Sequence, residues 1–304
     1  MTDDITLPVV PTVSTTYAVA LSGLPADLDG AVTSALMAYH GEGARALLDR
    51  VSQGLLDARM ITAETFPRIP VELLEQHGPD PASIAAFRTA SHFVVVTSKD
   101  EPRWPPVHEV AGRALASALA FVLPGVLVDL RAPKLLDARD TAASTLAEPR
   151  LADYVTVGQS RRPGGQWLFS LGLDRFGLPE LQSLDVPLAE AAATQQLLLG
   201  LAERLRALYY DAISFGATEE VVLPPLLTMS VDDIAAALAV PTRPGGTVMV
   251  RLRHADPDSR PRSLIVEPTA GYAAAVATLF DGVPVQLRMT SQQLLQLFGS
   301  GSAG

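Results

Sequence analysis

Apolar positions along the chain follow two periods, with glycine and proline marking the changes between them. SHFVVVTS, from Ser91, is a near-continuous apolar run of strand length, the pattern of a strand covered on both faces. After the loop KDEPRWPP, the segment VHEVAGRALASALAF puts Val107, Val110, Ala111, Ala114, Leu115, Ala118 and Leu119 on one stripe of a helix. Pro105 and Pro106 suit its first turn, where a missing N–H costs nothing. GVLVDL, at 125–130, reads as a second buried strand. Strand, helix, strand within about forty residues predicts a βαβ unit with a right-handed crossover.

The same reading extends in both directions. TYAVALSGL is a strand, and LDGAVTSALMAYH and GARALLDRVSQGLL are helical stretches. Prolines then punctuate residues 62–81 around a short helical piece, VELLEQH. ADYVTVGQS and GQWLFSLGL predict a hairpin, its turn built on Pro163 and Gly164 as the centre of a type II turn within a longer loop. LPELQSLDV continues the sheet or folds back at its edge, and the longest helix runs from Leu188 to Asp211. Beyond it the order predicted is EEVVLPPLL (strand), SVDDIAAALA (helix, N-capped by Ser230), GTVMVRLR and SLIVEP (strands), GYAAAVATLF (helix), VPVQLRM (strand) and SQQLLQLF (helix).

Crossover and hairpin connections together predict an α+β class: mixed sheets with a βαβ unit and a β-hairpin in ferredoxin-like layers, helices packed on the sheets. Residues 1–15 read as a disordered N-terminus and 299–304 as a disordered tail. Between them the expectation is a main domain over 16–215, divisible into 16–90 and 91–215 around one core, and a C-terminal α+β subdomain over 216–298. Arg162-Pro-Gly-Gly and Arg243-Pro-Gly-Gly each precede a strand, an echo that turn chemistry or a duplication would produce.

Composition narrows the chemistry. The 304 residues include no cysteine, which removes disulfides, thiolate metal sites and cysteine nucleophiles and suits a reducing cytoplasm. Lys99 and Lys134 are the only lysines, and the arginine, alanine, proline and leucine content has the bias of GC-rich bacterial coding. A net charge of −10 with no basic block argues against nucleic acid. The first residues lack the positive charge of a signal peptide, and no apolar run is long enough to span a membrane. A cytoplasmic location is therefore expected.

No Walker loop, Gly-x-Ser-x-Gly elbow, dinucleotide fingerprint or histidine pair at metal spacing occurs, so neither a cofactor nor a metal is expected from local motifs. Candidate chemistry lies in two places. His108 and Glu109 open the helix of the βαβ unit beside Trp104, with Arg113 four residues after Glu109. That spacing fits a solvated ion pair, or the rim of a pocket at a helix N-terminus. Asp174 and Glu180 flank the corner DRFGLP, where Gly177 takes a conformation other residues avoid, Phe176 plugs the core and Arg175 lies outward. As catalytic acids and bases we single out His108, Glu109, Asp174 and Glu180, and as substrate-binding groups Trp104, Arg113, Arg161 and Arg175.

At that corner the order of elements meets a likeness. The strand headed by His92, a helix, a strand, a hairpin, then Gly172-Leu173 with Phe176-Gly177 and Pro179-Glu180 resembles an uncharacterised bacterial family known only as a domain of unknown function. The likeness covers about residues 90–215. It implies an α+β fold in a bacterial cytosol and no activity.

Two functions follow. One is a cofactor-independent small-molecule-binding protein or enzyme of hydrolase, lyase or isomerase type, with a pocket near the Trp104 loop and the Asp174 corner. The other is a non-catalytic protein-interaction module: an adaptor, immunity or assembly protein. A homo-oligomer is compatible with either, GTVMVRLR being a strand whose edge could pair across a two-fold axis.

Overall fold

Contacts divide the chain into two units, Pro11–Pro149 and Met1–Val10 with Arg150–Gly304. The computed structural model describes residues 4–25, 27–75, 79–139, 141, 149–238, 246–255 and 262–269. The first strand, β1 (Ile5–Pro8), belongs to the second unit.

The first unit runs β2 (Val13–Leu21), α1 (Leu28–His40), α2 (Ala44–Ser52), β3 (Leu56–Thr62), α3 (Val71–Glu75), α4 (Pro81–Thr89), β4 (His92–Asp100), α5 (Val107–Val122), β5 (Val126–Asp129) and β6 (Lys134–Leu136). Asp27 starts α1 by accepting from the Gly30 N–H, and Asp80, followed by Pro81, starts α4 in the same way. The strands lie in the order β3-β4-β2-β5-β6, every neighbouring pair antiparallel. β4 and β5 are parallel to each other but not adjacent, because β2 lies between them. β2 and β3 stand in the same relation around β4. Two interlocked split βαβ connections make the ferredoxin-like arrangement, with β6 added at one edge. The expected βαβ unit is thus present in its split form.

Alternation along β2 explains how both faces are covered. Tyr17, Val19 and Leu21 join Val94, Val96, Leu115, Leu119 and Leu127 in one core, packed by α1, α2 and α5. Ala18 and Ala20 join Phe66, Leu74, Ile84, Phe87, Phe93, Val95 and Val128 on the opposite face. There Phe66 stacks on Phe93 at 3.7 Å, and Phe87 meets Phe93 edge-on. β3 is a departure from expectation: LDARMIT is half-exposed, so its strand period is weak, and its first residue, Leu56, reads as the end of the preceding helical stretch.

In the second unit β7 (Thr156–Arg162) and β8 (Gly165–Leu171) form the predicted hairpin. Arg162 pairs with Gly165, so Pro163 and Gly164 alone make the loop rather than part of a longer one. A 3₁₀ turn (Leu173–Phe176) leads to β9 (Glu180–Val186) and then α6 (Ala191–Ser214), the longest helix among the described residues. β10 (Glu220–Leu223), β11 (Leu226–Ser230), α7 (Val231–Leu238), β12 (Thr247–His254) and β13 (Ser263–Pro268) follow. The sheet order is β11-β12-β13-β9-β8-β7, mixed because β13 and β9 are parallel while the other pairs are antiparallel. Gly200 lets α6 approach α7 closely: a Cβ there would lie 2.6 Å from Ile234 Cγ1.

Several expectations are corrected. The N-terminus is not disordered through residue 15: β1 pairs with β10, and β2 begins at Val13. The boundary between units falls at 149/150, not 215/216, because β9 and β13 bond across the supposed boundary in one sheet. β12 is no edge, since β11 and β13 flank it. EEVVLPPLL splits at its prolines into β10 and β11, which join different sheets. The three elements expected beyond residue 270, the tail, His77 and Arg243 lie outside the described residues.

Candidate functional site

The first cluster is built where α5 lies on β2. Gly112 allows the close approach, since a Cβ there would fall 2.9 Å from Thr15 Cγ2 and 3.3 Å from Ser98 Cβ. That contact turns the first two turns of α5 into the protein, and His108 and Glu109 are fully buried, with Arg113 nearly so. Tyr17, also fully buried, points at them from β2. Its hydroxyl donates to Glu109 Oε2 at 2.6 Å and accepts from Arg113 Nε at 2.9 Å. His108 Nε2 stands 3.7 Å from Glu109 Oε1, an ion-pair distance rather than a hydrogen bond. Asp129, on β5 opposite Tyr17, is buried too, and its Oδ1 accepts from the N–H groups of Arg131 and Ala132.

A phenol between a carboxylate and a guanidinium can pass its proton to the one while the other supports its oxygen, so the group has the composition of an acid–base site. It is also a stabilising element, because a buried charge that loses its partner costs several kcal/mol, roughly 3–5. The solvated-face reading of Glu109 and Arg113 is overturned: a spacing of four residues is the same on a wet face and a buried one.

The second cluster is the corner after β8. Gly172 and Gly177 both take left-handed conformations, with φ of 107° and 77°. Between them the backbone turns its N–H groups inward onto Glu180. Glu180 Oε1 accepts from Gly172 N and Leu173 N at 2.8 Å each and from Asp174 N at 3.3 Å. Oε2 accepts from the Ser170 hydroxyl at 2.5 Å, and Ser170 Oγ accepts in turn from Leu181 N. Successive backbone amides of this kind form a nest for an anion, here filled by the chain's own carboxylate. Burial pushes the Glu180 carboxyl above its ordinary range; the Asp174 charge adds to this, and the Ser170 hydroxyl and the amides oppose it.

The corner separates its candidates. Asp174 is exposed and Glu180 buried, and Arg175, expected outward, is fully buried beside Phe176. Tyr210 donates to the Phe176 carbonyl, and Tyr154 meets the Phe176 ring edge-on. Arg161 is exposed in the hairpin, while its neighbour Arg162 lies over Trp167, 4.1 Å from the ring centroid. Trp104 is half-buried. Trp104, His108, Glu109 and Arg113 thus belong to the first unit, and Arg161, Asp174, Arg175 and Glu180 to the second.

Sequence reasoning did not single out Tyr17, Ser170 or Asp129. Tyr17 sits in an apolar run where a tyrosine looks like packing, and the partner that gives it a role lies 92 residues away. A small polar residue inside a hairpin strand, such as Ser170, carries no signal until its face is known.

Among the described residues no group of three or more His, Asp or Glu is placed to hold a metal ion, and no helix is long and apolar enough to cross a membrane. A surface hollow is bounded by Pro79, Pro81, Ile84 and the exposed Glu75–Arg88 ion pair, and contains none of the candidate residues. No family model, curated protein or solved structure matches the chain.

Proposed function

We propose that the protein is a non-catalytic interaction module of the bacterial cytosol: an adaptor, immunity or assembly protein. The observation that carries this reading is that the most reactive-looking side chains are committed to the fold. Glu180 is bound by its own corner, and Tyr17, Glu109 and Arg113 are bound to one another. Large apolar groups meanwhile face water on the helical layer of the first unit: Phe121 is 54% exposed, with Tyr39 tilted against it, and Met37 is 55% exposed on α1. Such groups suit a protein partner with an apolar contact surface, and the net charge of −10 favours one with a basic rim. Membership of the family that the corner signature resembles is part of the same proposal.

The test compares the intact chain with Phe121→Glu as bait, followed by affinity measurement with the purified partner. We expect a partner held by the parent and weakened at least about thirtyfold by the variant, at unchanged Tm. A chain that stays monomeric and partnerless in native mass spectrometry, or a variant that retains the same partner, overturns the reading.

One arrangement favours a second reading. The Tyr17 phenol held between Glu109 and Arg113, with His108 beside them, has the parts of a cofactor-independent acid–base site for a small molecule. A panel of ester, amide and hydroxy-acid substrates tests it. Turnover that falls about a hundredfold or more in a folded Glu109→Gln variant supports it. No turnover in the parent, or turnover in Glu109→Gln and His108→Ala equal to the parent's, removes it.

A further inference from the structure

β1 is an unusual occupant of the second unit, since it is held like a bound peptide. Among the described residues its only strand partner is β10, with Ile5 opposite Leu223, Thr6 opposite Val222 and Leu7 opposite Val221. Ile5 and Leu7 are each 2% exposed, while Thr6 and Pro8 face outward. The ladder continues where Val9 N donates to Glu219 O at 2.8 Å. Past the strand the Tyr209 hydroxyl grips the backbone, donating to the Pro8 carbonyl and accepting from Val10 N at 3.3 Å. Gly177 leaves room for Val10, since a Cβ there would lie 2.7 Å from Val10 Cγ2. A strand edge, two alternate side-chain sockets and a phenol clamp on the main chain are the parts of a strand-addition receptor.

The tether is as informative as the receptor. Only Val9–Thr12 separates β1 from β2, and β2 belongs to the first unit, which has cores of its own. Releasing residues 5–10 therefore breaks no strand pairing in the first unit, and a second copy of the chain carries the same segment and the same receptor. We propose that the groove beside β10 accepts residues 5–10 of a second copy, so that two chains exchange their N-terminal strands across a two-fold axis. Every bond of the strand is re-formed in the exchange. What opposes it is the local concentration of the chain's own strand, of millimolar order for a short link, so exchange is a minor, concentration-driven state. It needs no foreign partner and is read on the purified chain alone, so it stands or falls separately from the interaction module proposed above.

The absence of cysteine makes the test clean. Thr6→Cys and Val222→Cys mark two outward positions that face each other across the ladder. Both substitutions in one chain are expected to give an internal disulfide under mild oxidation. Mixed single variants are expected to give a covalent heterodimer, seen by non-reducing mass spectrometry, at a rate proportional to the concentration of the variant in excess. Tyr209→Phe in both chains removes the clamp and is expected to raise that rate roughly tenfold. The proposal is overturned if the double variant closes but the mixture yields no heterodimer. It is equally overturned if Thr6→Cys homodimers form as fast, which marks random collision. If the double variant does not close, the β1–β10 pairing itself fails and the proposal fails with it.

Discussion

Replacing Glu180 tests whether the corner after β8 is held by its carboxylate. In Glu180→Ala the N–H groups of Gly172 and Leu173 and the Ser170 hydroxyl lose an acceptor inside the protein. Each buried donor left without a partner costs about 1–3 kcal/mol, and the relief of burying a carboxylate returns part of this. We expect a net loss of about 3–6 kcal/mol, a large share of the roughly 5–15 kcal/mol that a domain of ordinary stability has. Glu180→Gln is milder, because its carbonyl still serves Gly172 and Leu173 and its amide can donate to Ser170 Oγ, orphaning one hydroxyl for about 1–2 kcal/mol. Urea unfolding followed by circular dichroism reads both losses. The pH dependence adds a separate check. Burial raises the Glu180 carboxyl, so the folded protein keeps a proton that the unfolded chain has lost. Its contribution to stability is complete below the ordinary glutamate range and is lost as pH rises through the raised value. The parent should therefore carry a downward slope in that window that Glu180→Gln lacks. If the alanine variant loses less than about 1 kcal/mol, or glutamine costs as much as alanine, the nest does not hold the corner.

Two further outcomes are expected. Gly177→Ala combines a φ of 77° with a Cβ 2.7 Å from Val10 Cγ2 and 3.1 Å from the Tyr209 hydroxyl, and should lower stability by about 1–3 kcal/mol in thermal unfolding. An unchanged Tm would mean that Val10 is not packed there. Asp100 has its carboxyl raised by burial, but the Glu101 N–H and the guanidinium groups of Arg50 and Arg103 outweigh this and hold it below the ordinary aspartate range. The stability it contributes is present above that range and lost as pH falls through the lowered value. Asp100→Asn should thus remove part of the acid sensitivity measured by urea midpoints, and an unaltered acid limb would show these contacts to be worth nothing.

The elements legible in the sequence are those with one unambiguous period. β4 is apolar without a break from Phe93 to Val96 because α5 covers one of its faces and α4 with Phe66 the other, and α5 carries a stripe that only a helix satisfies. β3 escapes because it is half-exposed, and β1 because its alternation lasts only four residues and ends in proline, too short to read. The division between units escapes for a different reason. It depends on the parallel pairing of β9 with β13 across α6, and pairing of distant strands leaves no local mark. The site divides in the same way. Gly177 announces a corner, and its positive φ is as read, whereas Arg175, read as outward, is buried. What the corner encloses is set by the neighbours of Ser170 and Glu180 in space. Likewise Glu109 and Arg113 are visible as a pair, but the buried tyrosine that joins them lies on the strand beneath.

The placement of β1 also sets an order of events during synthesis. Its partner β10 is about two hundred residues further along the chain, some 10–40 s at an ordinary translation rate of about 5–20 residues per second. Over that interval the whole of the first unit emerges and can fold, while the apolar Ile5 and Leu7 still await the surface that will bury them. On a ribosome β1 is made long before β10, the strand that pairs with it, and is among the last of the described strands to find its place. Polysomes crowd nascent chains together, and a neighbouring chain slightly ahead in synthesis would offer that surface first.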